Sequence, residues 1–332
     1  MSASVELRMP TLDDVRAARE RIAPHLPPTP LLAHGALSEL VGTEILVKHE
    51  NHLPTGAFKV RGGVNLVSRL GEDERRSGVV TASTGNHGQS IAFAGGRFGV
   101  RAVVCVPEDA NPVKLAAMKR LGAELVVHGR DFDEAREHCE SLAVAHGYRY
   151  VHSGNEPDLI AGVGTATVEL LETRSDVDVV IVPIGGGSGA AGACVAGKGL
   201  KPELEVIGVQ SSAAPAAYRS WRSRQLLEDR MATRAEGLAT RVAFELPQRI
   251  LWERLDEFVL VDESELDHAV VQMLEGTRNL VEPAGAAPLA AALQLRQRLA
   301  GKRVALVLSG GNISLAQLRE LLISADLQSG LA

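Results

Sequence analysis

Short apolar runs alternate with amphipathic stretches along most of the chain. Eight runs rich in β-branched residues are predicted to be strands: Glu44–Lys48, Gly78–Ala82, Ala102–Pro107, Glu124–Val127, Val177–Ile184, Glu205–Val209, Phe258–Val261 and Arg303–Leu308. Apolar residues at helical spacing predict helices over Thr11–Ile22, Val60–Leu70, Val113–Leu121, Phe132–Ala145, Glu265–Glu275 and Ala286–Leu299. Some strand runs are apolar almost throughout, which is typical of strands covered on both faces.

This alternation predicts an α/β protein with mostly parallel sheets flanked by helices. A chain of 332 residues is long enough for two such units. Ligands of parallel sheets bind beyond the carboxyl ends of the strands. The turns that follow the predicted strands are therefore the places to search for chemistry.

Composition and charge narrow the class of protein. A net charge of −6 and the lack of a basic cluster with aromatic residues argue against a nucleic-acid partner. No apolar run reaches the roughly 18 residues needed to cross a bilayer, and the N-terminus is polar, unlike a signal peptide. The three cysteines are far apart in apolar segments and are predicted to be reduced packing residues. We therefore expect a cytoplasmic protein.

A lysine stands in an unusual setting in Pro54-Thr-Gly-Ala-Phe-Lys59-Val-Arg-Gly-Gly63. Lysine has a pKa of about 10.4 and must be desolvated, or placed near positive charge, to act as a nucleophile. Phe58 and the sparse polar surroundings favour such a change. The alternative is an exposed lysine at the start of a helix.

Two further turns have the composition of anion sites. Ser83-Thr-Gly-Asn-His87 follows a predicted strand and precedes a helical pattern, so backbone N–H groups and the positive helix end would face a carboxylate or phosphate. An ordinary helix cap would use the same residues. Ile184-Gly-Gly-Gly-Ser-Gly189 follows another strand, and its glycines let the backbone wrap around a phosphate.

The glycine run also admits a dinucleotide interpretation. Gly187-Ser-Gly-Ala-Ala-Gly192 fits the pattern G-x-G-x-x-G. That pattern requires an acidic residue at the end of the next strand to bind a ribose. The next predicted strand runs into Gln210, so the hypothesis of an NAD-dependent oxidoreductase is weakened but stays open.

Five motifs in order resemble those of the pyridoxal-phosphate (PLP) enzymes of the tryptophan-synthase-β type (PLP fold type II), most closely the threonine/serine dehydratases. The motifs are E-N-H-L-P-T-G-A-F-K, S-T-G-N-H-G-Q, G-G-G-S-G, E-P-A-G-A and S-G-G-N, within residues 25–320. The resemblance implies a two-domain fold, with 1–77 and 152–332 as a large cofactor-binding domain. Residues 78–151 would form a small mobile domain with the substrate-carboxylate loop.

The resemblance also implies roles for the residues of these motifs. Lys59 would bond to the cofactor aldehyde and later act as general base, and Phe58 would pack against the cofactor ring. Asn86 would bind the ring hydroxyl, Ser309 the ring nitrogen, and Glu282 would lie at the cofactor or substrate. The phosphate would be held by Gly185, Gly186, Gly187, Ser188 and Gly189. The substrate carboxylate would be bound by Ser83, Thr84, Asn86 and His87.

The function implied is elimination of water from a small β-hydroxy amino acid, L-threonine or L-serine, to a 2-oxo acid and ammonia. Rival substrates are 3-hydroxyaspartate, phenylserine and an ectoine-derived hydroxy amino acid. Rival functions within the fold are β-replacement, as in sulfhydrylases, and threonine synthesis; a non-catalytic amino-acid sensor is disfavoured by Lys59. Relatives are commonly dimers or tetramers, so a homodimer or homotetramer is expected.

The chain departs from the family pattern in places that affect these expectations. Thr84 is, beside Lys59, a candidate catalytic residue by the resemblance: related racemases carry serine at its position as the acid/base of the second face. Because Thr84 adds a methyl group, elimination is expected to dominate and racemisation to be weak or absent. The segment 210–216 lacks the carboxylates by which many relatives bind a divalent cation, so no metal is expected. The dispersed histidines are predicted to be surface or capping groups: His128, His138, His146 and His152.

Overall fold

The computed structural model describes residues 7–329. Ten strands lie in this part of the chain: β1 Leu31–Ala33, β2 Glu44–His49, β3 Val79–Ala82, β4 Ala102–Val106, β5 Glu124–Val127, β6 Arg149–Tyr150, β7 Val179–Pro183, β8 Glu205–Ser211, β9 Glu257–Val261 and β10 Arg303–Leu308. No helix in these residues is both long and apolar enough to pass through a membrane.

Helices fill most of the remaining chain. The first eight are α1 Leu12–Ile22, α2 Gly35–Val41, α3 Lys59–Ser68, α4 Glu72–Ser77, α5 Asn86–Phe98, α6 Pro112–Arg120, α7 Phe132–His146 and α8 Pro157–Thr173. The others are α9 Ser188–Leu200, α10 Ala216–Ser223, α11 Glu245–Arg254, α12 Glu263–Thr277, α13 Pro283–Gln294, α14 Arg296–Leu299 and α15 Leu315–Ser329. Short 3₁₀ turns cover Glu50–His52 and Glu236–Leu238.

The strands form two sheets. One has six strands in the order β1-β2-β10-β7-β8-β9, and the other has four in the order β5-β4-β3-β6. All neighbours are parallel except β1, which pairs antiparallel with β2. The predicted α/β class with mostly parallel, helix-flanked sheets is therefore confirmed. The division into a large and a small mobile domain stays a prediction.

Both faces of the six-stranded sheet are covered, as the apolar runs predicted. Successive residues of β7 point to opposite faces, and Val180 and Val182 belong to one buried cluster. Val179 and Ile181 belong to the cluster on the other face. Because neither face of this strand meets water, its sequence shows no polar alternation.

All eight predicted strands are present, and none of their ends differs from the prediction by more than two residues. The sequence prediction missed β1 and β6, which are only three and two residues long. It also missed α8, which is buried along most of its length and so lacks an amphipathic stripe. The predicted helix Ala286–Leu299 was wrong in its bounds: α13 begins at Pro283, and Leu295 separates it from α14.

The carboxyl ends of four strands point towards one region between the sheets. β3 leads into the Ser83 turn, β7 into the glycine run and β10 into the Ser309 turn, while the Lys59 segment follows β2. Helix α3, which begins with Lys59, packs between α5 and α8. The topology therefore brings together segments that are up to about 250 residues apart in the chain.

Candidate active site

Lys59 is the first residue of α3, and its amine points into the protein. Its Nζ donates hydrogen bonds to the Ser153 carbonyl oxygen at 3.1 Å and to Ser188 Oγ at 2.9 Å. Both partners are neutral, and no carboxylate of the described residues pairs with this amine. Burial therefore lowers the pKa of Lys59 to about 8, so about a tenth of the amine is neutral at pH 7, far more than in a free lysine. The interpretation of Lys59 as an exposed helix-start residue is wrong.

The glycine run forms a tight loop between β7 and α9. Gly187 has φ of +87°, a conformation that favours glycine, and it precedes the first residue of α9. A Cβ on Gly185 would lie 2.2 Å from the backbone oxygen of Gly237, and one on Gly186 would lie 2.3 Å from the Phe244 ring. Only glycine fits this loop, whose N–H groups and helix dipole suit an anion.

The third glycine of the dinucleotide pattern has another purpose. A Cβ on Gly192 would lie 2.7 Å from the backbone nitrogen of Gly164 and 2.8 Å from the Ile160 oxygen, both in α8. Gly192 is thus needed for the close contact of α8 with α9. Gln210, at the strand end where a ribose-binding acid would stand, accepts a hydrogen bond from the Tyr218 N–H. Neither contact supports an NAD site.

The turn after β3 is organised by Ser83. Its Oγ accepts hydrogen bonds from the N–H groups of Gly85 at 3.2 Å and Gly88 at 3.0 Å. The hydroxyl hydrogen is left for a ligand at the N-terminus of α5. The Thr84 hydroxyl forms no hydrogen bond to any residue that the structure describes. The turn therefore presents two hydroxyl groups together with a positive helix end.

His87 lies beneath this turn rather than at its surface. Its Nε2 is 2.9 Å from Thr81 Oγ1, and the ring is buried. Burial, with the nearby Lys59 amine, lowers the pKa of His87 to about 3, so the ring is neutral. Its Nδ1 has no hydrogen-bond partner within the described chain. His87 can therefore contribute a polar contact but not a positive charge.

The turn after β10 is bonded to the Lys59 segment. The Phe58 N–H donates to the Ser309 carbonyl oxygen, and the Gly311 N–H donates to the Gly56 carbonyl oxygen, both at 2.9 Å. The Ser309 side chain is buried, and its hydroxyl forms no hydrogen bond to the described residues. Ser309 therefore offers a free hydroxyl group beside Phe58, whose ring packs against Gly189.

Asn86 and Glu282 meet on the other side of the site. Asn86 Nδ2 donates to Glu282 Oε1 at 2.7 Å, and Asn86 Oδ1 accepts from Asn312 Nδ2 at 2.7 Å. Glu282 precedes α13 and is buried, and burial raises the pKa of its carboxyl. A cavity of about 230 Å³ lies beside Glu282 and Asn312, and its wall includes Lys114 and Glu236, which form an ion pair.

Hydrogen bonds join Lys59 to Ser188 of the glycine loop, Phe58 to Ser309, and Asn86 to Glu282. The turn with Ser83 and Thr84 leads into α5, whose Ser90 Oγ donates to the Lys59 carbonyl oxygen at 2.7 Å. Four contributors were missed from the sequence: Ser153, Gly237, Phe244 and His152. Ser153 and His152 belong to the polar turn after β6, and position at a strand end was the signal that could have found them. Of the two predicted roles of His152, surface or capping, the structure gives the second, because its Nδ1 accepts from the N–H groups of Gly154 and Asn155. The ring also packs against Phe244.

These residues fit pyridoxal phosphate. The glycine loop is a cradle that a Cβ would fill, the helix start of α9 suits a phosphate, and an amine of low pKa lies 2.9 Å from Ser188 of the same loop. The free Ser309 hydroxyl and the Asn86 amide are neutral partners of the kind that a pyridine nitrogen and a ring hydroxyl need. Within the described residues no three His, Cys, Asp or Glu side chains are grouped to hold a metal.

The chain is similar to several characterised proteins. It is 38% identical over 323 residues to an L-threonine ammonia-lyase of Thermotoga maritima, covering 97% of this chain and 80% of that one. It is 34% identical over 308 residues to an L-threo-3-hydroxyaspartate ammonia-lyase of Saccharomyces cerevisiae, covering 92% and 94%. The crystal structure of serine racemase from Dictyostelium discoideum matches with a TM-score of 0.87 and 35% identity, covering 92% and 99%.

The family model described as "Pyridoxal-phosphate dependent enzyme" matches residues 22–310, which include every predicted site residue. The solved structure confirms the expected fold, and the family confirms the expected cofactor. The resemblance of the five motifs is thereby borne out over nearly the whole chain. The chain belongs to the pyridoxal-phosphate dependent enzyme family.

Proposed function

We propose that the protein is a PLP-dependent ammonia-lyase that removes water from L-threonine or L-serine and releases a 2-oxo acid and ammonia. The observation that carries the proposal is the inward-pointing Lys59 amine, whose Nζ lies 2.9 Å from Ser188 Oγ of the glycine loop. Desolvation lowers the pKa of this amine to about 8, as a nucleophile needs. The names of the two ammonia-lyases among the relatives support the reaction class.

The residues divide the work in a way that suits elimination. Bound PLP withdraws electrons from the substrate α-carbon, which makes loss of the α-proton feasible. Lys59, neutral in part near pH 8, would take that proton as general base. Ser309 would face the ring nitrogen with a neutral hydroxyl and, unlike a carboxylate, would not hold it protonated. Loss of the β-hydroxyl is then favoured over return of the proton.

The turn after β3 would hold the substrate carboxylate. Ser83 Oγ accepts from two backbone N–H groups, so its own hydrogen is free to donate, and the N-terminus of the 13-residue helix α5 adds its dipole. His87 is neutral and would contribute a hydrogen bond rather than a charge. Neutral donors and a helix N-terminus would thus bind one substrate carboxylate, and no arginine is needed.

The test is a screen of β-hydroxy amino acids for release of oxo acid and ammonia. Purified protein is expected to show the long-wavelength absorption of lysine-bound cofactor and to convert threonine and serine. Lys59→Ala is expected to lose that absorption and to lower kcat by at least about 1,000-fold, whereas Lys119→Ala, at an exposed lysine of α6, leaves both unchanged. Turnover by Lys59→Ala would overturn the proposal.

A second candidate substrate is 3-hydroxyaspartate, because the yeast relative is named for it. The same assay decides between the candidates through kcat/KM on equal concentrations of threonine, serine and threo-3-hydroxyaspartate. A ratio of kcat/KM above about 10 in favour of 3-hydroxyaspartate would replace the first proposal.

Thr84 bears on racemisation. Its hydroxyl is free in the described part of the chain, but its methyl group occupies space on the side where related racemases carry serine. We propose that elimination dominates and that the wild-type protein racemises serine weakly or not at all. Thr84→Ser is expected to raise the ratio of D-serine to pyruvate, as measured by chiral chromatography, and an unchanged ratio would refute this role.

Three further expectations belong to this proposal. We propose a cytoplasmic enzyme, a homodimer or homotetramer, and a small domain of residues 78–151 that moves against the rest. The ion pair of Lys114 with Glu236 and the hydrogen bond of Asn86 with Glu282 both join that part of the chain to the remainder. They are two of the contacts that such a movement would have to break.

A further inference from the structure

We infer that His152 is a positioning residue for Lys59: its imidazole folds the turn after β6 so that the Ser153 carbonyl oxygen faces the Lys59 amine. The inference rests on the proposed function in one respect only, namely that Lys59 is the amine that binds the cofactor. It concerns a turn that none of the five sequence motifs includes.

The first step is the hydrogen bonding of the ring. His152 Nδ1 accepts from the N–H of Gly154 at 3.0 Å and from the N–H of Asn155 at 2.9 Å. A nitrogen that accepts two N–H groups carries no hydrogen, so the neutral ring has its hydrogen on Nε2. Burial, reinforced by the Lys59 amine, lowers the pKa of His152 to about 4, which keeps the ring in this neutral form.

The second step is the fixation of the same turn from outside. The His152 N–H donates to Glu156 Oε1 at 3.3 Å, and Asn155 Oδ1 accepts from the Leu246 N–H at 3.0 Å. A Cβ on Gly154 would lie 2.4 Å from the Phe244 ring, so the turn is pressed against that side chain. Phe244 also meets the His152 ring edge-on, with centroids 4.8 Å apart. The turn has little freedom once His152 has closed it.

The third step connects the turn to Lys59. The Ser153 carbonyl oxygen, between His152 and Gly154, accepts a hydrogen bond from Lys59 Nζ at 3.1 Å. A carbonyl oxygen can only accept, whereas the Ser188 hydroxyl can also donate. The carbonyl therefore decides where one amine hydrogen points and, with it, the direction of the amine lone pair. An error of about 1 Å in such a position can cost about 100-fold in rate.

Two substitutions of His152 by an amide residue distinguish the role of Nδ1 from the role of Nε2. In His152→Asn the side-chain oxygen takes the place of Nδ1 and can accept hydrogen bonds from the N–H groups of Gly154 and Asn155, as asparagine does in turns. In His152→Gln the oxygen takes the place of Nε2 and the two N–H groups lose their partner. Both side chains are polar and smaller than the aromatic ring, so they form a matched pair, and His146→Ala at an exposed histidine of α7 is the control.

The readouts are the rate at which apo-protein develops the long-wavelength cofactor absorption after PLP is added, and kcat and KM for the substrate. His152→Gln is expected to slow cofactor capture and to lower kcat by about 10-fold to 100-fold with KM changed less than about 3-fold, while His152→Asn stays within about 3-fold of wild type in all three. His146→Ala is expected to match the wild type.

The inference would be overturned if the Asn and Gln variants lost equal factors in kcat and in the rate of cofactor capture. It would also be overturned if His152→Gln captured PLP at the wild-type rate. A larger loss in His152→Asn than in His152→Gln would assign the role to Nε2 and also overturn it. Cofactor capture by Lys59→Ala would instead refute the proposed function, because then the amine at this turn is not the one that binds PLP. The two failures are thus distinguishable.

Discussion

Asn86 Nδ2 donates a 2.7 Å hydrogen bond to Glu282 Oε1 and so joins two helix starts that are 196 residues apart in the chain. Asn86 begins α5, which follows a strand of the four-stranded sheet, and Glu282 precedes α13, which packs on the six-stranded sheet. The bond therefore fixes Asn86, which is expected to contact the cofactor, between the elements that belong to the two sheets. We expect its removal to weaken cofactor binding more than it lowers the stability of the hydrophobic core.

We predict that Glu282→Ala weakens PLP binding about 5-fold to 150-fold, because the Asn86 amide loses a buried partner, a loss of about 1–3 kcal/mol. Glu282→Gln keeps an oxygen that can accept from Asn86, so a smaller loss is expected. Glu320→Ala is the control, since this exposed glutamate lies on the same cavity. Equilibrium titration of apo-protein with PLP measures the effect, and equal losses in the Ala and Gln variants would contradict the explanation.

Lys59 leads to a prediction about pH. Its pKa is lowered from 10.5 to about 8, so the native apo-protein releases this proton at lower pH than the unfolded chain does. Between these values the unfolded chain binds more protons, and stability rises with pH. The free energy of unfolding of apo wild type, minus that of Lys59→Met, is expected to increase by about 2–3 kcal/mol from pH 8 to pH 10.5. Urea unfolding at several pH values measures it, and a flat difference would refute the lowered pKa.

The glycine loop yields a graded prediction. In Gly185→Ala the new Cβ would meet the Gly237 backbone oxygen at 2.2 Å, whereas in Gly186→Ala it would meet the Phe244 ring at 2.3 Å. A side chain can move aside more easily than backbone, so Gly185→Ala is expected to weaken PLP binding more than Gly186→Ala, and both by at least about 10-fold. Gly35→Ala, with nothing within 4 Å of its Cβ, is the control. A greater loss of PLP affinity in Gly186→Ala than in Gly185→Ala would contradict this explanation.

A buried ion cluster behind the site gives a prediction about stability. Arg61 is fully buried and pairs with Glu50 at 2.6 Å and with Glu169 at 2.7 Å. Arg61→Leu leaves Glu50 without its charged partner and Glu169 with Lys48 alone, and it is expected to cost about 3–5 kcal/mol. Arg69→Leu is the control. The Arg69 side chain, which pairs with Asp158, is 40% exposed, and ion pairs at the surface contribute about 0–1 kcal/mol. Urea unfolding compares the two, and equal costs would contradict a special role of the cluster.

Eight of the ten strands and six of the fifteen helices in the described residues were predicted as ranges, because their patterns are local. β7 is apolar residue after residue, and α12 begins with the capping box of Asp262 and Glu265, which needs no distant partner. Helix α8 could not be predicted, because a helix that is buried on most sides shows no polar face. Strand β6 could not be predicted either, because it has only two residues and is defined by its pairing with β3.

For the site, residue type and order along the chain were enough to propose Lys59 and the glycine loop and to predict the cofactor that the family confirms, since these depend on short motifs. The tertiary structure alone decided which neutral groups surround the amine, and hence its lowered pKa. It alone placed Glu282 against Asn86 and the His152 turn against Lys59. The reason is physical: burial and hydrogen-bond partners depend on segments about 100 to 200 residues apart in the chain that meet only when parallel strands bring their carboxyl ends together.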